Sequence, residues 1–151
     1  MKPTPYQLVD AHNFQYDEEP MTPEGRVKKN IRRVLDNFPF VYSFMPVQMG
    51  LGASGLDFHC VAGKLFQIGF LVELIPVAFF IEAKKPGGEP TDRQETFAKE
   101  RKEHQNAITF VIDDDPTIMK GNGGIEKLVQ WLEAIEKNNE HLSQRLGRPA
   151  A

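Results

Sequence analysis

Apolar residues first fall into a helical rhythm at Pro23, where Val27, Ile31, Val34, Leu35 and Phe38 line one face and predict a helix from about Pro23 to Asn37. Thr22 suits the N-cap and Pro23 the first helical position. The pattern then changes to strand-like runs. Phe40 to Met45 reads as one strand, and Leu56 to Val61 as a second after the glycine-rich loop Met49-Gly50-Leu51-Gly52-Ala53-Ser54-Gly55. Ala62-Gly63-Lys64 reads as a turn and Leu65 to Leu74 as strand. Pro76 interrupts the run before the strand Val77 to Ala83, so one bent strand and two separate strands both fit.

Pro86-Gly87-Gly88-Glu89-Pro90 ends this block. A helix is expected from about Asp92 to Glu103, because Thr91 and Gln94 have the spacing of a capping box. Ile108 to Ile112 is a further strand. A last helix to about Lys137 carries the stripe Ile125, Leu128, Val129, Leu132 and Ile135, and the tail Asn138 to Ala151 is expected to prolong it and then fray. The order predicts a mixed α/β domain with a central sheet flanked by helices. It spans 22–137, between an irregular Pro-rich, acidic N-terminal arm (1–21) and a C-terminal tail (138–151).

With 151 residues, 40% of them hydrophobic, the chain can build a single core without staples. Its one cysteine, Cys60, excludes an internal disulfide and a thiolate zinc cluster, and suits a reducing, cytoplasmic compartment. The start Met1-Lys2-Pro3-Thr4-Pro5 has no apolar core of a signal peptide. The run Ile68 to Ile81 is too short and too interrupted to span a bilayer. The net charge of −3 does not advertise nucleic-acid binding. Positive charge is nevertheless clustered at Arg26, Lys28, Lys29, Arg32 and Arg33, and again at Lys84, Lys85 and Arg93. Lys28, Lys29, Arg32 and Arg33 are expected on the outward face of the first helix, whereas a basic helical face is most often simply solvated.

Candidate chemistry concentrates at the end of the run Phe79-Phe80-Ile81-Glu82-Ala83-Lys84-Lys85. Side chains two apart in a strand share a face, so Glu82 and Lys84 stand side by side. Asp57, behind its glycine loop, offers a second carboxylate, and Glu24 falls on the inward face of the first helix. Two or three acids can hold a hard divalent cation. The plain alternatives are a strand emerging into solvent, an acid capping a glycine turn, and an acid placed to favour the helix dipole. His59 reads as a structural histidine, Asp113-Asp114-Asp115 as solvated loop, and Gly121-Asn122-Gly123-Gly124 as a flexible connector. His12, His104 and His141 lack metal-ligand spacing.

Taken together, Glu24, Gly52-x-x-Gly55-x-Asp57, Glu82-Ala83-Lys84 and Gln94 resemble the VRR-NUC branch of the PD-(D/E)xK nucleases over about residues 22–113. Leu56 stands where that family carries its proline, and the interval from Asp57 to Glu82 is longer than in compact members. An extended hairpin through Leu65 to Pro76 accounts for that interval and offers a dimer interface.

The resemblance implies a restriction-endonuclease-like core of order α-β-β-β-α-β with an extra C-terminal helix. It implies a metal-dependent endodeoxyribonuclease of the homodimeric kind that acts on branched DNA such as four-way junctions. Asp57, Glu82, Lys84 and Gln94 would be catalytic. Glu24, Asp57, Glu82 and the Ala83 backbone carbonyl would hold Mg²⁺ or Mn²⁺, and Lys84, eased toward deprotonation by Lys85, would hold the attacking water. Lys28, Lys29, Arg32, Arg33, Lys85 and Arg93 are the candidate DNA contacts. The alternatives are a non-catalytic nucleic-acid-binding or adaptor protein with the same fold, and a nuclease directed at RNA or single strands.

Overall fold

The computed structural model describes residues 21–46 and 56–146. The glycine loop at Met49–Gly55, almost all of the N-terminal arm with His12, and the last five residues, 147–151, lie outside them. The elements run α1 (Pro23–Asp36), β1 (Val41–Phe44), β2 (Phe58–Ile68), β3 (Leu71–Ala83), α2 (Asp92–Gln105), β4 (Ile108–Ile112) and α3 (Gly124–Arg145). The four strands form one mixed sheet in the order β1-β2-β3-β4. The first three pair antiparallel, and β4 returns parallel to β3 after the α2 crossover.

The pleat sorts the strand residues onto two faces. Phe58, Cys60, Ala62, Phe79, Ile81, Ala83, Phe110 and Ile112 join Val27, Ile31 and Val34 of α1 and Leu128 and Leu132 of α3 in one core. Phe79, wholly buried, meets the rings of Phe110 and Trp131 edge-on, so its truncation to alanine is expected to cost about 3–5 kcal/mol. Burial also pushes the Cys60 thiol up to about 12, leaving it an inert apolar group in this core. The opposite face carries a smaller cluster, in which Leu56, Phe80 and Ala107 pack with Phe97 of α2. Beyond Phe97, α2 is almost wholly polar and is tied down by Arg101, whose guanidinium lies 4.3 Å from the Phe97 ring centroid and 5.8 Å from that of Phe80.

Two strand boundaries differ from the expectation. The reversal falls at Gly69-Phe70, where Gly69 adopts φ +61°, and not at Ala62-Gly63-Lys64 or Pro76. Gly63 and Pro76 are instead partners inside a continuous hairpin. The Gly63 amide donates to Phe40 O, on the β1 side, so the Gly63–Pro76 pair exchanges no hydrogen bonds and proline's missing donor points away from β2. There β3 has no further neighbour, because β4 pairs only with Phe79–Ala83, and the proline costs the sheet nothing.

The last helix runs past Lys137 to Arg145, and its extension has a purpose. Past the Val41 side of β1, Asn139 donates to Gly63 O and accepts from the Leu65 amide, while Asn138 donates to Leu65 O. Two side chains thus complete the edge of β2 where a strand would otherwise pair.

Candidate active site

Glu82 lies near the end of β3, where that strand is flanked by β2 and β4 and overlaid by α2. It faces the α2 side, alternating with the core residues Ile81 and Ala83, and is only 2% exposed. Asp57 immediately precedes β2, and continuing the Phe58–Ile81 register sets it beside Glu82. Its Oδ2 accepts the Ala83 amide at 2.9 Å, so the carboxylate takes over strand pairing where β2 begins. The Lys84 amide donates to Ile112 O on the other side, which holds the strand end straight through the site.

Lys84 and Glu82 stand together as their spacing predicts, with Nζ 2.9 Å from Oε1. Gln94 joins both: its Nε2 donates to Glu82 Oε1, and its Oε1 accepts from Lys84 Nζ at 2.8 Å. The same Oε1 accepts the Thr91 amide, while Thr91 Oγ1 accepts the Gln94 amide. The capping box of α2 and the polar cluster are therefore one network.

The second oxygen of Glu82, Oε2, is buried without a hydrogen-bond partner. Burial, with the nearby charge of Asp57, raises the Glu82 pKa against the opposing pull of Lys84. A cavity of about 180 Å³ lies beside it, lined in part by Leu56, Gln94, Thr109 and Val111. The Thr109 hydroxyl, also buried and unpartnered, lines this cavity and carried no recognisable sequence signal.

Glu24 and Lys28 depart most from expectation. Glu24 is not buried; its side chain is 44% exposed and pairs with Lys28 at 2.7 Å. Lys28, expected on the outward basic face, turns toward the site and also reaches Asp57 Oδ1 at 2.7 Å. Burial alone would lower its pKa, but the two carboxylates outweigh that and hold it above the ordinary value, as a firm cation. The reason is reach: four methylenes carry the ammonium round from a flank of α1 to the nearest acids. Of the other basic residues, Arg32 is exposed and donates to Met45 Sδ, Lys85 and Arg93 are exposed near the site, and Lys29 and Arg33 are half-buried on α1.

The oxygen donors gathered here suit a hard cation. Glu82 Oε2 is free and Asp57 lies next to it, whereas no group of three His, Cys, Asp or Glu side chains is placed to hold an ion among the described residues. Two neighbouring carboxylates are the kind of oxygen donors that a hard divalent cation takes, with solvent completing its shell. His59 is not hydrogen-bonded as a structural histidine usually is. It lies between the rings of Phe44 and Phe80, Nε2 is buried without a partner, and burial together with Arg101 lowers its pKa. His104 and His141 are exposed on α2 and α3.

The three consecutive aspartates are buried rather than solvated, and each is fully engaged. Asp113 accepts the amides of Gly87 and Asn122, Asp114 those of Gly123 and Ile125, and Asp115 accepts the Thr117 amide and the Nε–H of the Arg26 guanidinium. The glycine segment wraps them closely: a Cβ on Gly121 would fall 2.1 Å from Asp114 Oδ1. Acids flanked by turn residues and a helix start were the available signal for such bracing. Asp113 thereby anchors the loop after Lys84, and Asp115 anchors the turn of α1 that bears Glu24 and Lys28.

No protein-family profile, curated protein or solved structure matches this chain. Among the described residues, no helix is long and apolar enough to cross a membrane.

Proposed function

We propose that the chain is a metal-dependent endodeoxyribonuclease of the VRR-NUC type, built on a restriction-endonuclease-like core. The observation that carries this reading is the joint placement of Asp57 and Glu82 across neighbouring strand ends, with Lys84 and Gln94 hydrogen-bonded to Glu82. An acid pair and an amine so arranged, with one buried oxygen unpartnered, is a costly arrangement for a purely structural strand end.

In this reading Asp57 and Glu82 hold Mg²⁺ or Mn²⁺, with help from the Ala83 carbonyl and with Glu24 at the rim. When bound, the cation supplies charge stabilisation for an attacked phosphodiester. Lys84 orients a water for in-line attack, Gln94 fixes the direction of the lysine, and the buried floor of Phe80 and Leu56 limits bulk water. Lys29, Arg32, Arg33, Lys85 and Arg93 attract the phosphate backbone. Ile68, Phe70, Leu71 and Leu74 are exposed along the end of the hairpin, which favours association with a second copy and, through paired sites, action on branched DNA.

The test is cleavage of plasmid and four-way-junction DNA with Mg²⁺ or Mn²⁺ by the wild type, Glu82→Ala and Lys84→Ala. Cleavage by the wild type and its loss in both variants supports the assignment. Equal behaviour of all three removes it and leaves the non-catalytic binding reading. RNA and single-stranded substrates in the same assay separate the nuclease classes, and sedimentation at micromolar concentration reports the dimer.

A further inference from the structure

We infer that Lys28 is a built-in competitor of the divalent cation, an ammonium that holds the acid pair until the ion displaces it. The inference rests on the proposed cation site. Asp57 has two oxygens, and one is committed to the Ala83 amide. The oxygen left for a cation, Oδ1, lies 2.7 Å from Lys28 Nζ. The same ammonium sits 2.7 Å from Glu24 Oε1, so one lysine engages two of the three acids proposed for the site. Glu82 Oε2, the remaining donor, has no partner. A cation shared by Asp57 and Glu82 therefore meets one ready oxygen and one already held by a positive charge.

Displacement is physically accessible. The Lys28 side chain is 26% exposed, long and unbranched, so it can release its carboxylates and enter solvent without unfolding α1. An ammonium and a divalent cation cannot share one carboxylate oxygen, here Asp57 Oδ1, at contact distance without strong repulsion. The lysine thus neutralises neighbouring acids in the ion-free protein, and its release is part of what ion binding must accomplish. It tunes cation affinity downward while protecting the fold from a bare acid cluster.

Two measurements test this. Mn²⁺ titration by calorimetry of the wild type, Lys28→Gln and Lys28→Met should show affinity raised about tenfold in both variants, the scale of one modest charge-assisted contact. Separately, amine-reactive labelling followed by peptide mass spectrometry should find Lys28 in the unmodified protein protected without divalent ion. It should label several-fold faster at saturating Mg²⁺, a readout that needs no variant to fold. Mn²⁺ binding of equal strength in all three proteins, or Lys28 labelling indifferent to Mg²⁺, overturns the competitor role while leaving the cation site standing. Absence of Mn²⁺ binding in wild type and variants alike overturns the cation site, and the competitor with it.

Discussion

The amide oxygen of Gln94 receives the ammonium of Lys84 at 2.8 Å and the amide of Thr91 at 2.9 Å, so one atom serves both the start of a helix and the end of a strand. Gln94→Ala removes the side-chain half of the capping box and releases Lys84 together with Glu82. Stability should fall by about 1–2 kcal/mol, measured by urea denaturation. If Lys84 is catalytic, the DNA cleavage rate should fall about 10- to 100-fold with substrate affinity little changed. Restored stability without restored rate in a variant that only repairs the cap would locate the defect at Lys84.

Glu82 makes stability depend on pH in an unusual direction. Burial and Asp57 raise its folded pKa above the ordinary 4.5, so the folded chain holds this proton more tightly than the unfolded chain does. Its contribution is fully present below pH 4.5 and is lost as pH rises through the folded value. Glu82→Gln should therefore melt roughly 2–4 °C higher than wild type at pH 7 without divalent ions. The advantage should vanish near pH 4, as thermal melts across that range would show.

Asp115 behaves in the opposite sense. Burial alone would raise its pKa, but Thr117 and Arg26 outweigh it and hold the carboxyl below 3.8. This contribution is present above pH 3.8 and is lost as pH falls through the depressed folded value. Arg26→Met leaves the buried Asp115 with Thr117 alone and should cost about 3 kcal/mol at pH 7, the lower end for a broken buried pair. Denaturation at pH 7 and at pH 3 should show the gap between variant and wild type narrowing in acid.

Asn139 closes the edge of β2 with one donated and one accepted hydrogen bond. Asn139→Ala should destabilise by about 1–3 kcal/mol. Native-state hydrogen exchange should find the Leu65 amide opening faster in the variant, with the amides of β4 unchanged except through global stability.

Much of the fold was legible because periodicity and caps agreed. The β4 bounds, the α1 start at Pro23 and the Thr91–Gln94 capping box all follow from local chemistry, as does the pairing of Glu82 with Lys84 on one face. Three of the misreadings share one cause: they needed a neighbour distant in sequence. Gly63 and Pro76 look like breakers, and only the β1–β2–β3 register reveals that neither owes a hydrogen bond to the other. The aspartate triplet looks solvated until the amides of Gly87, Gly123 and Ile125 close on it. Lys28 belongs to the outer face by helical angle, and its reach to Asp57 depends on where β2 begins.

The hairpin sets the sequence interval between Asp57 and Glu82. Because Phe58 faces Ile81 and every later pair follows in step to Ile68 and Leu71, a matched pair of residues added or removed at the tip would leave both carboxylates where they are. The length of the arm and the neighbourhood of the acids are thus independent of one another. What relates the two acids is their position across the strands, and the number of residues between them is a property of the hairpin alone.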